Sequence, residues 1–422
     1  MSKVTIIGMG LSVRDLTAEH LERIRSADVL VGGRRHLAAF EDLDVPKREI
    51  TGRISETIAF IRSHMQDHRI VVLASGDPLF FGVGARICRE LGTGRTTVMP
   101  NISSIAAAFA RIQAGWDDAR IISLHGRDRM GPLLQALKDP VPVAVLTDDR
   151  RTPDWLAARL LEKEIDHVQI AVFEQLGTSA ENFGWYSLPQ AAQQRFARPN
   201  VVILKARGRE AQTRNDLYLG MGEEVFAHDG GLITKAEVRA VCLARLRLKP
   251  GQTLWDLGAG SGAVSIEASL LLGGGRIVAV EQNEARVRQI RANARRFGVY
   301  NLDVVQAELP QGLEGLPAPD RIFIGGGGRH LPRIIAAAAE RLPPRGVMVV
   351  NTVLLGNLQA AMDAMEQRAM TVQVVQVQVS RCKTMPWDRR LVAQNPVWVV
   401  VGERKQFSVK RSAIRCPGRP FA

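Results

Sequence analysis

The segment Leu254-Trp255-Asp256-Leu257-Gly258-Ala259-Gly260-Ser261-Gly262 combines residue types that can hold a ligand. A short apolar run meets three alternating glycines, and a helical pattern starts at Ala263. Glycine tolerates the tight turn and lets a ligand lie against bare backbone at a helix N-terminus. The next strand-like run, Arg276–Val280, closes on Glu281, 23 residues past Gly258. That is about the spacing at which an acid grips ribose hydroxyls. A nucleoside-bearing cofactor is therefore expected here. Gly258, Gly260 and Ala263 also satisfy the dinucleotide pattern GxGxxG/A, so NAD stands as an alternative, and a purely structural glycine turn as the plain one. Two features count against NAD. Asp256 sits two residues before the first glycine, and Gly262 follows at close spacing, which suits a carboxylate or sulfonium better than a pyrophosphate.

Upstream lies His228-Asp229-Gly230-Gly231-Leu232-Ile233-Thr234-Lys235-Ala236-Glu237-Val238-Arg239. Thr234 and Glu237 are spaced as a capping box, which predicts a helix start. A capping box does not require His228, Asp229 or Lys235, and this surplus polarity beside a glycine pair suggests a substrate lip.

The N-terminal half follows a different glycine logic. Gly8-Met9-Gly10 ends a first strand, either as a plain turn or as a ligand contact. Val71-Val72-Leu73-Ala74-Ser75-Gly76-Asp77-Pro78 ends a buried-type strand in SGDP, followed by Leu79-Phe80-Phe81-Gly82-Val83-Gly84. Pro78 forces Asp77 out of the helical region. That fixes the Asp77 carboxylate at a strand tip, where open α/β sheets place ligands; an ordinary Asp-Pro turn is the competing reading. Met99-Pro100-Asn101-Ile102-Ser103-Ser104 joins a strand to a helix, with Ser103 or Ser104 as N-cap. Ile122-Ser123-Leu124-His125-Gly126-Arg127 and Phe173-Glu174-Gln175-Leu176-Gly177 end two more strands.

The elements that must position these groups alternate between strand and helix in two blocks, the signature of α/β architecture. In the first block, strands are predicted at Val4–Ile7, Ile70–Ala74, Arg120–Leu124, Val143–Leu146, Val168–Phe173 and Val201–Leu204. Helices are predicted around Ile54–Met65, Val83–Leu91, Ser104–Ile112 and Trp155–Leu161. In the second, strands are predicted at Thr253–Leu257, Arg276–Val280, Val304–Gln306, Arg321–Ile324, Val347–Asn351, Thr371–Val379 and Val397–Val401. The last two are too close in sequence for a helical crossover and should pair antiparallel. The polar stretch from Ala206 to Asn215 marks the boundary, giving domains 1–206 and 222–403.

The 422 residues suffice for two or three domains with real cores. With 46% apolar and 23% charged residues, whole-chain disorder is excluded. No apolar run reaches the ~18 residues of a membrane helix, and the N-terminus does not read as a secretory signal. The four cysteines are far apart and the histidines form no HExxH, so no metal site is expected. The cytoplasm is the expected compartment. The net charge of +13 attracts anions, whether nucleic acid, an anionic membrane surface or polycarboxylate substrates, or else reflects a general arginine bias. The basic tail from Arg404 to Arg419 reads as a frayed terminus.

DxGxGxG followed by an acid closing the next strand resembles the class I S-adenosylmethionine (SAM) methyltransferases. Strand–GxG, SGDP, P-x-I-S-S, S-L-H-G-R and E-x-L-G together resemble the tetrapyrrole methylases, in the branch acting on carbon 5 of a corrin precursor. HDGGLITKAEVR, LWDLGAGSG and IGGGG resemble the partner enzymes that methylate carbon 15 and remove a carboxyl group. Both in this order, over nearly the whole chain, resemble the bifunctional precorrin-6B (precorrin-6Y) C5,15-methyltransferase (decarboxylating) family of cobalamin biosynthesis. The resemblance implies an N-terminal tetrapyrrole methylase fold of two α/β subdomains, divided near Gly115, and a C-terminal Rossmann-like class I methyltransferase fold. It implies one SAM per domain. Gly8, Gly10, Ser75, Gly76, Asp77, Ser103 and Ser104 would line the first cofactor site. In the second, Gly258 and Gly260 would lie near the methionine part, with Thr234, Asp256 and Gly262 also in the cofactor site. Glu281 would take the ribose, and Ala307 and Glu308 would lie near the adenine.

The chain departs from the family pattern in two places. The first loop reads Gly8-Met9-Gly10-Leu11-Ser12 instead of GxGPG, and Gly222-Glu223-Glu224-Val225-Phe226 replaces P-D-x-x-F. Amine-directed methyltransferases often carry N/D-P-P-Y/F where this chain has Gly325-Gly326-Gly327-Gly328, which either points to a carbon acceptor in a wide ring or is a plain flexible loop at a strand end. The family also implies loss of the carbon 12 acetate carboxyl, with the macrocycle accepting the electrons, and precorrin-8X as product. Arg239 and Lys235 are candidates for substrate carboxylates; Asp77, His125 and Lys235 are candidate catalytic groups. The expected partner is a small-molecule tetrapyrrole, with neither nucleic acid nor membrane, and the chain is expected to form a homo-oligomer. An RNA methyltransferase would need stacking aromatics on a basic face, yet aromatics are only 5%. A non-methylating dehydrogenase remains a third reading, separable by titrating SAM against NADH.

Overall fold

The computed structural model describes residues 4–92, 94–125, 130–207, 216–230 and 233–405. It divides into two units, residues 1–129 with 139–212 and residues 130–138 with 213–422.

The first unit contains two five-stranded sheets, as expected from a division near Gly115. In the first sheet, β1 (Val4–Gly8), β2 (Val29–Gly32), β3 (Lys47–Glu49), β4 (Ile70–Ala74) and β5 (Thr96–Met99) run in the order β3-β2-β4-β1-β5, all parallel. A parallel sheet is covered on both faces, so its inner strands are apolar throughout. Val4, Ile6, Ile70 and Val72 pack on one face, and Ile7, Leu30, Val71 and Leu73 on the other. The edge strand β3, Lys-Arg-Glu and fully exposed, carries no apolar signal and was not expected from sequence. Nor was β2, whose apolar run Val29-Leu30-Val31 is only three residues long.

The second sheet holds β6 (Arg120–Ser123), β7 (Val143–Leu146), β8 (Val168–Glu174), β9 (Asn182–Ser187) and β10 (Asn200–Ala206), ordered β6-β7-β10-β8-β9. Only β6 and β7 pair in parallel; the other three pairings are antiparallel. Of the stretch expected to separate the blocks, residues 208–215 lie outside the described residues.

The second unit is a seven-stranded sheet, β13-β12-β11-β14-β15-β19-β16. Its strands are β11 (Thr253–Leu257), β12 (Arg276–Glu281), β13 (Leu302–Gln306), β14 (Arg321–Ile324), β15 (Val347–Thr352), β16 (Met370–Val377) and β19 (Val397–Arg404). The first five are parallel, and β19 runs antiparallel between β15 and β16, as the sequence spacing required. Between them lies a separate hairpin, β17 (Ser380–Thr384) and β18 (Arg389–Ala393), whose mostly polar strands gave no sequence signal. The helices Ala236–Leu246, Ala263–Leu272 and Glu284–Arg296 cover one face, and Leu331–Arg341 with Leu355–Glu366 the other. Alternation along β11 divides its residues: Leu254 joins the first core, Trp255 and Leu257 the second.

Arg404, the first residue of the tail expected to fray, does not fray. It ends β19, and its guanidinium donates to the carbonyls of Ala339 (3.1 Å) and Leu342 at the end of a helix. Residues 406–422 lie outside the described residues. Among the described residues no helix is long and apolar enough to cross a membrane, and no cluster of His, Cys, Asp and Glu could hold a metal.

Candidate functional site

In the second unit the strand order reverses between β11 and β14, and open α/β sheets bind ligands at the carboxyl ends of the strands at such a switch. The loop after β11 sits there. Gly258 has φ +73°, and a Cβ on it would lie 3.2 Å from the Gly326 nitrogen, so the loop after β14 can come this close only against glycine. Gly260 and Gly262 also have positive φ. The Gly260 N–H donates to Glu281 Oε2 (3.0 Å), and the Asn283 N–H donates to Oε1 (3.0 Å). A carboxylate offers about four acceptor positions, so Glu281 is anchored and still has capacity for a diol. Ala307, directly after β13, donates its N–H to the Glu281 carbonyl (3.1 Å), while Glu308 is exposed.

Asp256 is fully buried beneath this loop. Its Oδ2 accepts the Ser265 hydroxyl (2.6 Å), and its Oδ1 has no partner among the described residues. Desolvation pushes its carboxyl up to about 6. A buried, half-satisfied carboxylate under a glycine cradle fits a cationic ligand, as a sulfonium bearing an ammonium group would be.

The lip differs from expectation. The helix begins at Ala236 with Lys235 as N-cap and no side-chain cap, so Thr234 and Glu237 do not form the expected capping box. Glu223 takes that role from outside, accepting the Ala236 N–H at 2.8 Å. Arg381 of β17 in turn grips Glu223 (2.5 and 3.0 Å) and Glu237 (2.6 and 3.0 Å). That ion pair holds the Glu223 carboxyl down at about 2.

Arg239 is not available to a substrate carboxylate. It is fully buried, paired with the fully buried Glu267 (2.8 Å), and donates to the Thr234 and Met221 carbonyls. Glu267 also accepts the N–H groups of Gly220 and Met221, both at 3.0 Å. The pair therefore straps the segment before the lip to the domain core. The lip itself is tied to the glycine loop by Asn293, which is buried. Asn293 accepts the Ala227 N–H (2.8 Å) and donates to the carbonyls of Ala227 and Ser261, both at 2.9 Å. Asp229 accepts from Gln289 (2.7 Å). Lys235 is half-buried; Gly231 and Leu232 lie outside the described residues.

In the first unit, β1 carries Gly8-Met9-Gly10 out at its carboxyl end beside β4. Gly10 and Gly76 exchange backbone hydrogen bonds (3.4 and 3.2 Å), which joins the two glycine segments into one floor. A Cβ on Gly8 would come within 2.5 Å of the Gly76 carbonyl. Ser75 is exposed beside this floor. Asp77 Oδ1 accepts the Leu79 N–H (2.8 Å), so the Asp-Pro turn is present and occupies one of its oxygens. Ser103 is the N-cap, accepting the Ala106 N–H (3.1 Å), and Ser104 begins the helix. His125 is exposed one residue past Leu124, and no hydrogen bond joins it to Asp77 among the described residues; Gly126 and Arg127 lie outside them.

Sequence reasoning missed three side chains here. Asn101, within the P-N-I-S-S segment, donates to the carbonyls of Gly8 (2.9 Å) and Asp15 (3.1 Å) and so pins the first loop. Asp15 accepts the N–H groups of Leu11 (2.7 Å) and Ser12 (3.0 Å), replacing the proline of the usual GxGPG as the loop's constraint. His36 Nε2 lies 3.3 Å from Ser75 Oγ, and burial, helped by Arg35, lowers its imidazole to about 4. Glu174 of the E-x-L-G segment is buried and structural, accepting from Asn182 (2.9 Å) and the Ala197 N–H.

Residues 3–191 match the family model of tetrapyrrole (corrin/porphyrin) methylases, and residues 224–402 that of a precorrin methyltransferase domain. A Sinorhizobium sp precorrin-6Y C(5,15)-methyltransferase (decarboxylating) is 34% identical over 359 residues, covering 83% of this chain and 84% of the relative. A Mycobacterium tuberculosis protein of the same description is 33% identical over 365 residues, covering 83% and 87%. A crystal structure of a precorrin-6Y C5,15-methyltransferase from Geobacter metallireducens is 42% identical, with a TM-score of 0.43, covering 44% of this chain and 97% of that one.

Proposed function

The chain belongs to the decarboxylating precorrin-6Y C(5,15)-methyltransferases, SAM-dependent enzymes that methylate and decarboxylate precorrins, and from this premise we propose that its two units divide the work. Residues 1–206 methylate ring carbon 5 of precorrin-6B. Residues 222–403 methylate carbon 15 and remove the carboxyl of the carbon 12 acetate, giving precorrin-8X. Each binds one SAM.

The observation that carries this reading is the pair of glycine floors, Gly8–Gly10 with Gly76 and Gly258–Gly262 with Gly326, each at the carboxyl ends of parallel strands. SAM supplies a methyl group already activated on a sulfonium, so its transfer to an electron-rich carbon needs alignment more than acid–base help. This chain's residues supply that alignment. Asn101 and Asp15 fix the first loop. Ser75, Asp77, Ser103 and Ser104 border the floor it makes with Gly76. In the second unit Glu281 holds the ribose from a carboxylate already anchored to Gly260 and Asn283. Asp256 lies below with a negative charge that favours a cationic ligand, and Ala307 and Glu308 lie beside the adenine. Thr234 and Lys235 stand on the lip. The Gly325–Gly328 backbone leaves space for a wide ring.

The test is to incubate the chain with SAM and precorrin-6B and weigh the product. Gain of two methyl groups with loss of carbon dioxide is expected; an unchanged mass refutes the reading. Asn101→Ala should suppress the carbon 5 methyl and spare the other, and Gly258→Ala should do the reverse. A small-molecule substrate and cofactor, with neither nucleic acid nor membrane as partner, suit a cytoplasmic homo-oligomer. Sedimentation of the full chain tests the assembly, with a monomer refuting it.

A further inference from the structure

Four buried side-chain polar atoms among the described residues lack a hydrogen-bond partner: His228 Nδ1, Asp256 Oδ1, Asn301 Oδ1 and Asn351 Nδ2. Such atoms are uncommon, and each asks for an explanation. Asn301 precedes β13, at the far end of the sheet from the glycine loops; its carbonyl accepts the Ile277 N–H at the entry to β12. The other three belong to the ligand end. Asp256 underlies the glycine loop, and His228 adjoins Ala227, which Asn293 ties to Ser261. Asn351 lies at the carboxyl end of β15 and is not among the residues the cofactor reading uses.

The register places Asn351. Asp256 pairs with Phe323 across β11 and β14, and Phe323 with Val349 across β14 and β15. Side chains alternate along strands, so Gly258, Gly325 and Asn351 continue that row one step toward the ligand end. The first two carry no side chain, so from β11 to β15 the Asn351 amide is the functional group at this step, with Glu281 at the same step on β12. Its Oδ1 accepts the Cys242 S–H (3.0 Å), which confirms the face and leaves Nδ2 as a spare donor. The chain then exposes three consecutive large apolar residues, Val353 (52%), Leu354 (57%) and Leu355 (70%). The Leu354 N–H donates to Thr352 Oγ1 (3.1 Å), which fixes the turn that presents them. Single exposed apolar side chains are ordinary; a contiguous run at the mouth of a ligand site marks a binding surface.

We propose that the carboxyl end of β15 is the macrocycle seat of the second unit, with Val353–Leu355 as its apolar floor and the Asn351 amide as donor to an oxygen of a substrate carboxylate. This rests on the precorrin reading above. A precorrin has the matching chemistry, an apolar ring face rimmed by carboxylates, and the neighbouring four glycines leave it room.

The experiment uses the full chain, saturating SAM and precorrin-6B, and follows carbon dioxide release. Asn351→Ala should raise KM for the precorrin about tenfold or more, the loss of one hydrogen bond to a charged group, while SAM affinity by calorimetry stays at the wild-type value. Asn351→Asp keeps the shape and the acceptor for Cys242 but replaces the donor with a carboxylate, and should raise KM at least as much while SAM affinity again stays at the wild-type value. Leu354→Ser with Leu355→Ser should raise KM without altering sedimentation. Wild-type KM in Asn351→Ala or in Asn351→Asp, or a changed sedimentation with unchanged KM in the double variant, overturns the proposal; the last result would assign the apolar run to a second copy of the chain. A wild-type chain that releases no carbon dioxide and leaves the precorrin's mass unchanged overturns the underlying reading and the proposal with it.

Discussion

Asp256→Asn should stabilise the second unit above neutral pH while changing little in mild acid. Desolvation raises the buried Asp256 carboxyl from 3.8 to about 6, held back by the Ser265 hydroxyl and pushed slightly further by the Glu281 charge. A carboxyl with a raised folded pKa penalises folding wherever the unfolded chain ionises it. The penalty is absent below about pH 4, grows between about 4 and about 6, and is constant above. Its plateau, from 3.8 to about 6 at about 1.4 kcal/mol per pH unit, is about 3 kcal/mol. Asparagine stays neutral and keeps an oxygen for the Ser265 hydroxyl, 2.6 Å away in the wild type. Its amide replaces an oxygen that has no partner, so the gain should be about 2–3 kcal/mol at about pH 8 after the desolvation of an unpaired amide is counted. His36 acts in the opposite sense over an overlapping window, because burial lowers it to about 4 and folding gains as pH rises through that range. The difference between variant and wild type cancels it. Hydrogen exchange of peptides spanning residues 253–272, followed through urea series at about pH 4.5, 6 and 8, measures that difference locally. Parallel stability curves, with the same difference at every pH, would refute the reasoning.

Gly258→Ala should cost about 1–2 kcal/mol from the left-handed backbone alone. Because the new Cβ would press on Gly326, 3.2 Å away, calorimetry should show the SAM site proposed for the second unit weakened at least tenfold and that proposed for the first unchanged. Arg239→Met should destabilise the second unit by about 3–5 kcal/mol in chemical denaturation, since it strands the fully buried Glu267 carboxylate. Glu267→Leu added to it should recover much of that loss. Glu223, held at about 2 chiefly by Arg381, contributes stability that is present above about pH 4.5 and lost as pH falls toward about 2. Arg381→Ala should flatten that acid limb in a pH-dependent melting series, and an unchanged limb would disprove the assignment.

Residue type and spacing alone dictate the glycine loops and the strands that deliver them. Positive-φ turns and close backbone approach admit little but glycine, so Gly258–Gly262 and the acid at Glu281 were legible from residue type and spacing. Buried parallel strands such as β4, β11 and β14 announce themselves because both faces must be apolar. The short polar edge β3 and the hairpin β17–β18 do not, since exposed pairing imposes no composition. The antiparallel end of the second sheet followed from connection length, which geometry fixes without side chains. The fate of the polar side chains, by contrast, is set by long-range packing. Arg239 looked like a substrate contact and is buried against Glu267, 28 positions away; Thr234 looked like a cap and yields that task to Glu223. Asn101, Asn293 and Asn351 carried no local signal, because their partners are 93, 66 and 109 residues away. A polar residue's role depends on which donors and acceptors the fold brings within about 3 Å of it, and sequence spacing does not encode that distance.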